Sequence, residues 1–207
     1  MATSSLNRMT VPIAGDTGSQ GLLMPKLKYR YRVSFLNMGV TKPTTELTKQ
    51  VMTFTRPSVS FEDITIDIYN SKLRLAGKHS WEDAQVEIRD DAGGHVAALV
   101  GEQLQKQLDF SEQASAASGM DYKFQMNCEI LDGGNGASAP TVLETWELYG
   151  CYLQAVNYND LTYADSAPVT ITMTIRFDNA VQTPLGSGLG TTVARTVNSV
   201  VTGVGGS

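Results

Sequence analysis

The 207-residue sequence predicts a mainly β fold carrying one helix, and three observations support that prediction. Apolar and polar residues alternate without a break along three separate runs, as they do on a strand with one wet face. One segment alone switches to helical spacing. The 19 Gly, 7 Pro and many Thr and Ser supply the turns that a fold of many strands needs.

The first run is Leu27 to Phe35, where Lys28, Arg30 and Arg32 take the wet face. The second is Met120 to Leu131, with Tyr122, Phe124, Met126, Cys128 and Ile130 on one side and Lys123, Gln125, Asn127 and Glu129 on the other. The third is Val169 to Phe177, with Ile171, Met173 and Ile175 opposed to Thr170, Thr172, Thr174 and Arg176. Weaker strands are expected at 50–55, 59–68, 71–76, 81–89, 142–149 and 151–158. Between Phe61 and Ile64 the apolar register slips by one residue at Glu62-Asp63, which a bulge or bend would repair.

From Gly94 to Phe110 the apolar positions are Val96, Leu99, Val100, Leu104 and Leu108. They predict an amphipathic helix of about four turns that packs on one open face or end of the sheet. Asp90 and Asp91 precede it as a start signal near the positive end of its dipole. Two Gly-rich loops follow, at 114–119 and 133–140, the second a turn between strands.

Charge divides the chain into three parts. Residues 1–25 carry only Arg8 and Asp16, and residues 181–207 only Arg195. The 26–180 body therefore holds a net charge of −6 of the chain's −5, between two nearly uncharged arms. Arms of this composition are expected to be loosely ordered in a free subunit. Val193, Val197, Val200, Val201 and Val204 nevertheless recur at helical spacing, and could lay a stripe on a neighbour. The acidic balance opposes a protein that grips nucleic acid by its phosphates. No secretory signal and no run of about 18 apolar residues is present, so a soluble protein without a membrane anchor, made in a reducing cytoplasm, is expected.

Residues for chemistry are sparse, so no enzyme, no catalytic residue, no metal and no cofactor is expected. His79 and His95 are the only imidazoles and no cysteine lies near either in sequence, which disfavours zinc. Gly134-x-Gly136-x-x-Ala139 imitates a dinucleotide fingerprint but leads through Pro140 into a strand rather than a helix. Cys128 and Cys151 fall on apolar strand faces, as core thiols or, if their strands are neighbours, as a bridge. Lys28, Arg30 and Arg32 suit a solvated strand face or ion pairs between subunits more than a DNA strip.

Four stretches in a fixed order resemble the tail tube proteins of contractile-tailed bacteriophages. They are PKLKYRYRVSF at 25–35, KLRLAGKHSWEDAQVEIRDD at 72–91, LETWELYGCYL at 143–153 and the closing strand at 168–177. The resemblance spans about residues 25–180. It implies an antiparallel β-sandwich or half-barrel with a flanking helix, six copies of which form a ring with a continuous inner β-barrel. Rings would stack through a long loop, best matched by 41–70, into a tube in a virion assembled in the bacterial host cytoplasm. Implied partners are the tail sheath, baseplate and tail terminator proteins, a tape measure protein in the lumen, and double-stranded DNA that passes without specific binding. Injection-system or type VI secretion tubes and baseplate tube initiators share the pattern. A carbohydrate-binding β-sandwich using Tyr149, Tyr152, Tyr158 and Tyr163 is the rival from another class.

Overall fold

A computed structural model describes residues 25–40, 44–46, 50–133, 140–164 and 166–184. The elements in chain order are β1 (Tyr31–Leu36), β2 (Thr44–Glu46), β3 (Val51–Phe54), β4 (Val59–Ile68), β5 (Ser71–Trp81) and β6 (Ala84–Arg89). The helix α1 (His95–Gln107) follows, then β7 (Leu108–Asp109), β8 (Ala114–Ser115), β9 (Phe124–Leu131), β10 (Val142–Asn157), β11 (Thr170–Arg176) and β12 (Asn179–Pro184). Every strand pairing is antiparallel, in the order β2-β1-β9-β10-β11-β6-β3, with β12 also on β10. The mainly β architecture with one helix is therefore as expected, and the single subunit contains no closed barrel.

The sixteen-residue β10 makes two layers out of this ladder. Its first half pairs with β9 and β12, and its second half with β11. The two strands expected at 142–149 and 151–158 are one strand, folded over a corner at Gly150. Gly150 has φ of +68°, where glycine alone is unstrained, and the ladder to β9 skips between Leu148 and Cys151. Side chains that alternate inward from both layers meet in one core, including Val33, Phe35, Val86, Ile88, Met126, Leu148, Ile171, Met173 and Ile175.

The helix adds Val96, Leu99 and Val100 to that core, as its spacing predicts. It begins with Gly94 as N-cap, and the flanking aspartates satisfy its first amides. Asp91 Oδ1 accepts from the His95 amide at 2.8 Å, and Asp90 Oδ1 from the Ala97 amide at 3.4 Å. Toward the other end, fully buried Gln103 accepts from the Gly39 amide at 3.0 Å and donates to the Tyr122 carbonyl at 2.7 Å. One turn on, Gln107 accepts from the Leu153 amide and donates to the Leu153 carbonyl, at 2.9 and 3.0 Å.

Several boundaries differ from the sequence expectation for local reasons. Residues 27–30 form a turn, closed by the Arg30 amide on the Leu27 carbonyl at 3.2 Å, so β1 starts at Tyr31. Met120 to Tyr122 lie in a turn tied by Ser118 and Asp121 rather than in β9. The strand expected at 71–76 runs on to Trp81. The strand β12 joins the sheet across position 180, and its Ala180 is buried. The Gly-rich turn at 134–139 and the valine stripe beyond 190 lie outside the described residues.

Candidate assembly surface

Alternation in β4 and β5 predicts half-buried strands, yet the apolar face of their outer part, from Ile64 to Leu75, is covered by no other element among the described residues. The two strands pair only with each other among the described residues, as a long ribbon. Ile64 opposes Leu75 and Ile66 opposes Leu73, with Ile68 beside them near the tip. All five are 43–51% exposed. On the other face Asp63 pairs with Arg74 at 3.3 Å and Asp67 with Lys72 at 3.5 Å. A ribbon of this kind, apolar on one side and charged on the other, has little stability alone and marks a surface awaiting cover. The register slip read at Glu62-Asp63 is present, as a bulge between Phe61 and Asp63. The protruding arm is thus Val59–Trp81 rather than 41–70.

Aromatic contacts fix the arm to the body. Phe61 and His79 rings lie 6.2 Å apart, His79 and Trp81 6.2 Å edge-on, and Trp81 and Phe177 5.6 Å. The ladder therefore runs from the arm into the core at Phe177.

A second feature lies at the start of β1. Lys26, Lys28, Arg30 and Arg56 rim a groove of about 550 Å³ whose floor includes Tyr31, Phe54, Cys128 and Ile130. Tyr31 Oη donates to the carbonyls of Val51 and Met52, at 3.3 and 3.0 Å, which closes β1 toward β3 behind it. The cations expected on one strand face are divided: Arg32 pairs with Glu129 on β9, whereas Lys28 and Arg30 belong to the groove. Beside the groove Lys26 reaches Glu144, which is 4% exposed and also accepts from Trp146 Nε1 at 2.6 Å and Gln182 Nε2 at 2.7 Å. Burial alone pushes the Glu144 carboxyl up, but hydrogen bonds from Lys26, Gln182 and Trp146 outweigh it and hold it below its ordinary value.

The remaining singled-out residues serve the fold. Cys128 and Cys151 are free and buried, and burial pushes each thiol up to about 12. Their strands are neighbours, but Cys128 opposes Trp146 and Cys151 opposes Phe124. Four strand residues, roughly 13 Å, separate them along the sheet, beyond disulfide reach. His95 Nδ1 lies 2.6 Å from Asp91 at the helix start, and His79 sits in the aromatic ladder. Among the described residues no three His, Cys, Asp or Glu side chains converge to hold a metal ion, and no helix is long and apolar enough to cross a membrane. No ring contact joins the four tyrosines to one another: Tyr152 packs edge-on against Tyr122, Tyr149 bonds Glu147, and Tyr158 and Tyr163 are exposed. No sequence signal points to the groove, because its rim comes from segments 26 residues apart.

No protein-family model and no curated protein matches the chain. Solved structures do. A chain of the anti-feeding prophage baseplate, solved with sixfold symmetrisation, superposes with a TM-score of 0.61 at 13% identity, over 80% of this chain and 100% of that one. A chain of the sheath-tube complex of the PVC extracellular contractile injection system gives 0.54 at 12%, over 79% and 95%. The SPP1 tail tube gives 0.50 at 8%, over 77% and 80%. Over about four-fifths of its length the chain thus has the tail-tube fold.

Proposed function

We propose that the protein is a structural tube subunit, six copies of which form a ring, with rings stacked into the inner tail tube that conducts a phage genome. The observation that carries this reading is the Val59–Trp81 arm, whose uncovered apolar face requires a neighbour, on a subunit with the tail-tube fold. Among the described residues no further strand pairs with the outer edges of β2 and β12, which leaves backbone donors and acceptors for pairing between copies. A ring multiplies the −5 charge of each copy sixfold, so a wall acidic on balance repels DNA phosphates and lets them slide. Sheath, baseplate, terminator and tape measure proteins are the partners that such a tube requires, and no catalysis is assigned to it. The body starts near residue 26 and extends past 180 to the end of β12 at Pro184, with the segments before and after it as its arms.

Negative-stain images of the concentrated full chain should show hollow sixfold rings or tubes. A species that stays monomeric under all conditions, including with baseplate components, overturns the proposal. A second reading, the tube of a contractile injection system, is supported by the higher superposition on the sheath-tube chain of the PVC extracellular contractile injection system than on the SPP1 tube. A terminase gene beside the coding sequence supports the phage reading, and its absence beside a sheath gene supports the other.

A further inference from the structure

The cationic groove and an acidic loop occupy opposite ends of the same strand. The register of β1 on β9 runs from Tyr31 opposite Ile130 to Leu36 opposite Gln125. Lys26, Lys28, Arg30, Tyr31 and Ile130 place the groove at the first end. At the other, Lys106 Nζ donates to the carbonyls of Asn37 and Gly39, at 3.3 and 3.5 Å, and Gln103 donates to Tyr122. The helix C-terminus and the loop from 108 to 122 are thereby held at the far end of β1 from Tyr31, a six-residue strand of about 20 Å.

That loop matches the groove in chemistry. It contains Asp109, Glu112 and Asp121 and no Lys or Arg. Phe110 is 60% and Met120 84% exposed on it. The loop has a defined shape, because β7 pairs with β8 and the Asp109 carboxylate accepts from the Ser111 and Glu112 amides at 2.8 and 3.3 Å. In the groove, Lys28 and Arg56 are exposed and make no ion pair among the described residues, above a floor that includes Phe54 and Ile130. An acidic loop with a projecting aromatic ring is the complement of a cation-rimmed groove with an apolar floor. A copy cannot satisfy its own groove across the strand's length, so the contact is heterologous and propagates.

Resting on the tube reading above, we propose that the 108–122 loop of one copy docks in the groove rimmed by Lys28, Arg30 and Arg56 of the next. Phe110 covers the apolar floor, and copies add head to tail along the strand direction.

The test compares four full-length proteins by the threshold concentration for assembly, read by light scattering and negative-stain images. They are the wild type, a groove reversal (Lys28→Glu with Arg56→Glu), a loop reversal (Glu112→Lys), and the combination of all three changes. Thermal melts establish that each variant folds, and Phe110→Ala probes the contact without changing charge. Each reversal should raise the threshold by about a hundredfold, since like charges brought together cost several kcal/mol, and the combination should recover most of it. Phe110→Ala should raise it by about tenfold. Reversals that assemble at the wild-type threshold overturn the docking while leaving the tube reading intact. So does a groove reversal that blocks assembly and is not rescued by the loop reversal, which would assign the groove to another acidic surface of the same chain. A wild type that never assembles overturns the tube reading itself.

Discussion

Replacing Glu144 tests how the sheet is closed around a buried charge. Its carboxylate takes hydrogen bonds from the Trp146 indole, the Gln182 amide and the Lys26 ammonium. Glu144→Gln keeps an oxygen for the first two, which share Oε1, but turns an amide N–H₂ toward Lys26. Breaking a buried ion pair costs 3–5 kcal/mol, but Lys26 is 48% exposed and solvent screens the pair. We expect about 2 kcal/mol for Glu144→Gln, a melting shift of about 4–8 °C for a chain of this size. Glu144→Ala should cost about 3–4 kcal/mol, because it leaves a buried indole N–H and an amide unpaired. Urea unfolding followed by tryptophan fluorescence measures both. The folded carboxyl lies below its ordinary value, so its stabilisation is fully present above the unfolded value of about 4.3 and is lost as pH falls through the folded one. The gap between wild type and Glu144→Gln should therefore shrink as pH falls below about 4. A cost under about 0.5 kcal/mol at pH 7, or a gap that widens in acid, refutes the assignment.

Gly150→Ala should destabilise by about 2 kcal/mol in the same urea assay: φ is +68°, and the new Cβ would overlap the Asp178 carboxylate, with its Cγ at 2.7 Å. Both cysteines should resist a thiol reagent at pH 8 in the folded protein and react in urea, because thiols pushed up to about 12 carry almost no thiolate. Gln103→Leu should cost about 2–3 kcal/mol by stranding the Gly39 amide and the Tyr122 carbonyl, measured by thermal melting with Gln105→Leu as the exposed control. Ile64→Ser with Ile66→Ser should change monomer stability by less than about 0.5 kcal/mol per site yet prevent assembly, read by sedimentation.

Period-2 alternation located β9, β11 and most of β1 because their inward residues enter one shared core. It carried on falsely through Leu27 to Arg30, where the same alternation is met by a turn. Alternation reports which residues share a face and is silent on what covers the face. Ile64, Ile66 and Leu73 therefore read like core residues although they face outward. The strand β12 escaped notice because Asn179-Ala-Val-Gln-Thr-Pro has no strong period, and its place is set by the long β10 it pairs with. Asp90 and Asp91 were legible as helix-start residues because capping is local. The groove was not, because Lys28 and Arg56 come together only through the pairing of Tyr31 with β3.

The helix is moored at its C-terminal half by Gln103 and Gln107, two neutral amides bonded to backbone. Neither titrates, and neither contact is screened by ions as a charge pair is. The groove and loop are the opposite kind of surface, exposed and built from charge. Concentrated salt should therefore weaken a groove–loop contact while leaving the helix seated and the apolar face of the arm as adhesive as before. Ionic strength thus separates the charged contact from the apolar one, with the intact helix as the internal measure of folding.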